Sequence, residues 1–194
     1  MSSTRDKILF ISREKAESLL ISVGLRIGGW NQLAEMDGVL SRHIQFHPGR
    51  GQSELYVLAR HLSKWVARNG WVLIHFDNST LPLDVEIDTV SFIFLAPGER
   101  WDITRQRIIL VDSGDAANNH EAVSLMIFFG LMFEWHFYLA GEHAEPGRRL
   151  GILDGTVYFF GQTDALAEAG ELIEQVTHTP LTLPDGYYTA RPLT

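Results

Sequence analysis

A single run of apolar residues, 122–133, most limits what this chain can fold into. Only Ser124 and Gly130 interrupt the run, and Glu121 precedes it. A helix over residues 119–133 would be apolar on nearly every side, so it must lie inside a domain, under a sheet or between layers. The run is too short for a transmembrane helix, which needs roughly 20 apolar residues.

Short β-prone runs surround this predicted helix and predict a sheet. Strands are expected at residues 71–76, 107–111, 135–140, 149–153 and 156–160. Asp154 and Gly155 join the last two runs, and Asp-Gly between apolar runs is a strong hairpin signal. The last three strands should therefore form an antiparallel meander.

Amphipathic helices are predicted on either side of these strands. Apolar residues recur at helical spacing in residues 12–23, 53–69 and 163–176. Ser12 is a suitable N-cap for the first of these helices.

Three other segments are less regular. Residues 84–95 fit neither the helical nor the strand period cleanly, so helix and strand both stay open there. A short helix is expected over residues 30–36, and a Gly- and Pro-containing loop over residues 43–52.

These elements together predict an α+β fold rather than a doubly wound α/β fold. The expected architecture is a mainly antiparallel sheet of about five strands with a buried apolar helix and flanking amphipathic helices. Residues 1–194 show no internal boundary and have the length of one domain, so a single domain is expected.

The charge of the chain is divided unevenly along its length. Residues 1–70 hold 10 basic and 6 acidic residues, whereas residues 71–194 hold 6 basic and 18 acidic ones. The net charge of −8 argues against nucleic-acid binding, which needs a basic footprint. A basic protein is the better partner, because complementary fields steer association. Solubility alone is the simpler explanation of the same charge.

The predicted partner-binding residues are acidic, with one tryptophan. On a strand Asp84, Glu86 and Asp88 would share one face, and on a helix Asp84 and Asp88 would do so. Trp101 follows a Pro-Gly pair in a predicted loop and is expected to be exposed, and tryptophan is common among binding hot spots. The complete predicted set is Asp84, Glu86, Asp88, Trp101, Glu142, Glu145 and Asp154.

Histidine is the residue type whose spacing raises the question of a metal site. His43 and His47 are four residues apart, while His136 and His143 lie near two glutamates. No HExxH pattern accompanies them, and cysteine is absent, which excludes thiolate ligands and a cysteine nucleophile. Solvated imidazoles explain the pattern as well, so we expect no metal, no cofactor and no enzymatic activity.

Residues 71–161 resemble the immunity proteins encoded beside bacterial polymorphic toxins. The resemblance rests on the order of two apolar strands, the apolar helix, the strand containing Trp135, Tyr138 and Leu139, and a hairpin with Asp154 at its turn. It implies a cytosolic protein that binds and neutralises a cognate toxin, and it transfers no catalytic residues. One departure is that the turn after Leu153 is Asp-Gly alone, where a longer acidic or histidine-containing stretch is expected.

Three functions are therefore open. The first is an immunity-type protein of the cytoplasm whose acidic surface covers the basic cleft of a toxin domain, with no nucleic-acid or membrane partner. The second is an α+β regulatory or structural module without a toxin partner. The third is a small metal-dependent hydrolase that uses His43, His47, His136 or His143. A cytoplasmic location is expected because the N-terminal apolar run, residues 8–11, is too short for a signal peptide.

Overall fold

The computed structural model describes residues 7–28, 33–36, 42–48, 51–66, 70–76, 84–95, 97–102, 107–112, 121–142 and 146–177. The strands in these residues are β1 (Lys7–Phe10), β2 (Leu25–Ile27), β3 (Leu33–Glu35), β4 (Arg42–Phe46), β5 (Trp71–Phe76), β6 (Ile108–Asp112), β7 (Phe137–Gly141), β8 (Arg149–Leu153) and β9 (Thr156–Gly161). The helices are α1 (Arg13–Ser22), α2 (Gln52–Val66), α3 (Asp84–Phe94), α4 (Glu121–Met132) and α5 (Thr163–Thr177).

The main sheet has seven strands in the order β1-β6-β5-β7-β8-β9-β4, and every neighbouring pair is antiparallel. Its five central strands are the five predicted from the sequence, and β1 and β4 form its edges. Strands β2 and β3 form a separate antiparallel pair. The α+β prediction with a mainly antiparallel sheet is therefore confirmed.

The sheet lies between two layers. Val72, Ile74 and Phe76 of β5 belong to the core that α2, α3, α4 and α5 share with the sheet. Leu73 points to the opposite face, where it packs with α1 and the β2–β3 pair. Central strands covered on both faces have few places for polar residues, which explains their continuous apolar runs.

Helix α4 lies in the core, as its sequence predicts. Val123, Met126 and Ile127 are fully buried, and the helix contacts both α2 and α3. Its approach to the sheet is close at Gly130, where an added Cβ would lie 2.6 Å from Cζ of Phe137. Phe133, just after the helix, is partly exposed.

Two further predictions from short sequence motifs, a helix cap and a hairpin turn, are confirmed. The Oγ of Ser12 accepts a hydrogen bond from the backbone N–H of Lys15, which caps α1. At the β8–β9 turn, Asp154 and Gly155 both have positive φ, of 49° and 70°. Two successive positive φ angles are typical of the type I′ turn that Asp-Gly favours.

Two segments differ from the sequence-based expectation, and in a third the structure decides between two alternatives. Residues 42–46 form β4 instead of the beginning of a loop, because they pair with β9, which lies more than 100 residues further along the chain. Residues 33–35 form β3 instead of part of a short helix, because they pair with β2. Residues 84–94 form α3, which settles the ambiguity of that segment in favour of a helix.

Candidate functional site

Helix α3 presents an acidic and aromatic face to solvent. Val90 and Phe94 point into the core. Asp84, Asp88 and Phe92 follow each other at intervals of four residues, so they share the outward face of the helix. The side chains of Asp84 and Asp88 are 86% and 68% exposed, and Phe92 is 87% exposed.

Arg100 joins the two carboxylates of this face. Its Nη2 lies 2.7 Å from Oδ1 of Asp84, and its Nε lies 3.2 Å from Oδ1 of Asp88. Such exposed ion pairs stabilise a fold little, but they limit the orientations of the carboxylates. We call Asp84, Asp88, Phe92 and Arg100 the α3 stripe; its two carboxylates and one guanidinium leave a local charge of −1. The α3 stripe is therefore less acidic than its two aspartates alone would make it.

Trp101 does not have the exposed position that its loop predicts. It is only 3% exposed, and its ring lies 4.7 Å from that of Phe76 at the end of β5. Its backbone N–H donates to Oγ of Ser91, which in turn donates to the carbonyl of Ile87. The loop thus folds back under α3, and the large apolar indole completes the core. Trp101 supports the stripe from below and is not available to touch a partner.

Phe92 is the exposed aromatic residue of this surface, and it is not among the partner-binding residues predicted from the sequence. Assigning residues 84–94 to a helix would have revealed it, because the spacing of four residues puts Phe92 on the face of Asp84 and Asp88. A large aromatic side chain that is almost fully exposed loses its hydrophobic contribution to folding. Aromatic residues are also enriched at protein–protein interfaces.

Two further predicted partner-binding residues, Glu142 and Asp154, lie on other elements than α3. Glu142 follows β7, where its backbone N–H donates to the carbonyl of Trp71, whereas Asp154 lies at the turn beside the start of β7. The five residues of β7 lie between Glu142 and Asp154 and span roughly 16 Å, so these two side chains do not form one small patch. The last two predicted partner-binding residues are Glu86 and Glu145. The side chain of Glu86 and the whole of Glu145 lie outside the described part of the structure.

Asp154 is already engaged with a histidine. Its Oδ1 lies 2.6 Å from Nε2 of His136, which is largely buried, while Asp154 itself is exposed. This contact joins the β8–β9 turn to the start of β7. Asp154 therefore has a structural partner in addition to any role in binding.

The first pair of histidines considered as metal ligands does not converge on one site. His43 and His47 lie along an extended segment, in which a separation of four residues is roughly 13 Å, too far for a shared metal ion. The ring of His43 lies against that of Phe160, and Nδ1 of His47 is 3.1 Å from Oγ1 of Thr156. His143 is outside the described residues. Among the described residues, no group of three or more His, Asp or Glu side chains is arranged to hold a metal ion.

In the part of the chain that the structure describes, none of the helices has the length and hydropathy of a membrane span. Comparisons of the chain with models of protein families, with curated proteins and with solved structures found no match.

Proposed function

We propose that this chain is an immunity-type binding protein of the cytoplasm, which neutralises a toxin domain by covering its basic cleft with the α3 stripe. The observation that carries the proposal is the 87% exposure of Phe92 beside two exposed carboxylates. Aromatic residues and arginine, here Phe92 and Arg100, are enriched at protein–protein interfaces. The resemblance to immunity proteins supports the same function, and α3 lies inside the segment that carries it.

The three kinds of side chain in the stripe have separate tasks in this proposal. Asp84 and Asp88 attract Lys and Arg side chains of the partner and speed the encounter. Phe92 then enters an apolar pocket near the cleft and slows dissociation. Arg100 holds the carboxylates in place before binding, which reduces the entropy lost on association.

Neutralisation in this scheme requires no chemistry from the chain. Toxins that act on nucleic acids or on anionic nucleotides need a basic cleft to hold their substrate. A protein that fills this cleft excludes the substrate by occupying the same space. The acidic balance of residues 71–194 adds a long-range attraction, which weakens as salt screens it.

The proposal can be tested with the terminal domain encoded by the open reading frame next to this gene. Co-expression of the chain should restore growth of cells that produce this domain, and the purified pair should form a complex. Phe92→Ala should raise Kd roughly 30-fold, equivalent to about 2 kcal/mol, mainly through faster dissociation. Ile21→Ala is the matched control, because Ile21 is 58% exposed on α1, in the other layer.

The electrostatic part has its own pair of variants. Asp84→Asn with Asp88→Asn should slow association several-fold at low salt and leave the free energy of unfolding nearly unchanged. Glu14→Gln with Glu171→Gln changes the net charge equally at exposed sites on α1 and α5, and should slow association much less. Failure of the chain to restore growth, or equal effects of the stripe variants and their controls, would refute the proposal.

A further inference from the structure

The outward face of α2 carries a basic groove. Tyr56, Arg60 and Lys64 follow each other at intervals of four residues along one ridge of the helix, and Val57 and His61 form the neighbouring ridge. These five residues line a groove with a volume of about 230 Å³. The ring of Tyr56 is held edge-on against Phe128 of α4, with 5.8 Å between ring centroids.

Arg60, His61 and Lys64 are the basic side chains of this groove. Within the part of the chain that the structure describes, Arg60, His61 and Lys64 form no side-chain ion pair or hydrogen bond. Arg13, Arg100, Arg148 and Arg149, in contrast, each pair with an Asp or Glu. Arg60 and Lys64 therefore place two positive charges on one face of α2 with no paired carboxylate among the described residues.

Helix stability accounts for only part of this arrangement. Lys64 lies in the last turn of α2, where a positive charge interacts favourably with the helix dipole. Arg60 and His61 lie further from the helix end, where this effect has faded. Burial lowers the pKa of His61, and the positive charges of Lys64 and Arg60 lower it further. Helix stability therefore explains only part of the positive charge that Arg60 and Lys64 place on the groove.

We infer that the α2 groove binds a small phosphate monoester with a planar or apolar body. Arg60 can donate two parallel hydrogen bonds to phosphate oxygens, and Lys64 adds a mobile point charge. Tyr56 and Val57 form an apolar wall next to these cations, against which the organic part of the ligand packs. The dianionic phosphate also lies close to His61 and favours its protonated form.

The size and surroundings of the groove favour a small ligand over a polyanion. Its volume of about 230 Å³ is slightly below that of sites for drug-sized molecules. A nucleic acid needs a continuous basic footprint, whereas this chain has a net charge of −8 and would repel phosphates beyond the groove. The inference uses a different surface from the α3 stripe and does not depend on the proposed function.

The test is to titrate the full chain with phenyl phosphate and with inorganic phosphate at low ionic strength. Calorimetry measures the affinity, and NMR monitors the His61 imidazole. Phenyl phosphate should bind at one site and about tenfold more tightly than inorganic phosphate, because only its ring can contact Tyr56. Binding should also raise the pKa of His61. Arg60→Ala and Lys64→Ala should each weaken binding about five- to tenfold. Lys15→Ala, which removes an exposed lysine from α1, is the control of equal charge change and should have little effect.

Tyr56→Leu separates the apolar wall from the charges. It should reduce the affinity for phenyl phosphate to about that for inorganic phosphate, in a variant whose unfolding curve shows that it is folded. Equal weakening by Lys15→Ala and Arg60→Ala would overturn the inference, because it would show only a general effect of charge. Tighter binding of a single-stranded oligonucleotide than of phenyl phosphate would overturn it in favour of a nucleic-acid surface, as would the absence of saturable phosphate binding at millimolar concentration.

Discussion

The close approach of α4 to the sheet depends on the missing side chain of Gly130, and Gly130→Ala tests this directly. A Cβ at this position would lie 2.6 Å from Cζ of Phe137, closer still to Cε1, and 3.6 Å from Cγ2 of Ile152. The ring of Phe137 cannot move away easily, because it is fully buried and packs against Phe76. Overpacking a core costs about 1–3 kcal/mol, and an overlap this large belongs at the upper end.

Helix propensity acts in the opposite direction. Replacing glycine by alanine inside a helix stabilises it by about 1 kcal/mol when nothing else changes. The expected net loss for Gly130→Ala is therefore about 2 kcal/mol, or a fall in Tm of about 4–8 °C for a chain of this size. Urea unfolding and thermal denaturation followed by circular dichroism would measure both quantities.

Gly170 in α5 provides the matched control. Nothing lies within 4 Å of a Cβ added there, so Gly170→Ala should stabilise the protein by about 1 kcal/mol. Combining Gly130→Ala with Phe137→Leu should restore part of the lost stability, because the smaller side chain makes room for the new methyl group. If Gly130→Ala stabilises the protein as much as Gly170→Ala, the reasoning about the contact between α4 and β7 is wrong.

Two further predictions concern buried charge and pH. Glu35→Ala should lower the free energy of unfolding by about 3 kcal/mol, because it removes the 2.8 Å ion pair of Arg149, whose side chain is only 2% exposed. The double variant Glu35→Ala/Arg149→Met should be more stable than Glu35→Ala, and equal instability of the two would contradict this explanation. Burial and Arg149 lower the pKa of His43 below 6.5, and burial with Lys64 and Arg60 lowers that of His61. Because the unfolded chain binds these protons more readily, the free energy of unfolding should be greatest above pH 6.5 and fall as the pH drops through the folded-state values. Urea unfolding at several pH values should show a flatter profile for His43→Asn/His61→Asn, and an unchanged profile would contradict the assignment.

The elements that the sequence predicted well are those with local causes. The β8–β9 hairpin follows from Asp154 and Gly155, whose preference for positive φ suits the turn. The position of α4 follows from an apolar run that no solvent-facing helix would carry. These signals act within a few residues, so no knowledge of the remaining chain was needed to read them.

The elements that the sequence left open or misassigned depend on distant partners. Strand β4 exists because it pairs with β9, whereas the sequence of residues 43–52, with Pro48, by itself looks like a loop. The residues of α3 fit neither the helical nor the strand period cleanly, and packing of Val90 and Phe94 against the core favours the helix. Hydrogen bonds between strands and burial of a helix face both require the rest of the fold.

The candidate site shows the same division. The sequence by itself determined the acidic balance of residues 71–194 and the presence of aromatic residues near Asp84 and Asp88, because charge and composition do not depend on folding. Only the tertiary structure decided which aromatic residue a partner can reach. Trp101 turns inward onto Phe76 because its loop folds back under α3, and Phe92 stays in solvent because Val90 and Phe94 occupy the inner face of that helix. Exposure depends on which neighbours cover a side chain, and these neighbours come from elements far apart in the sequence.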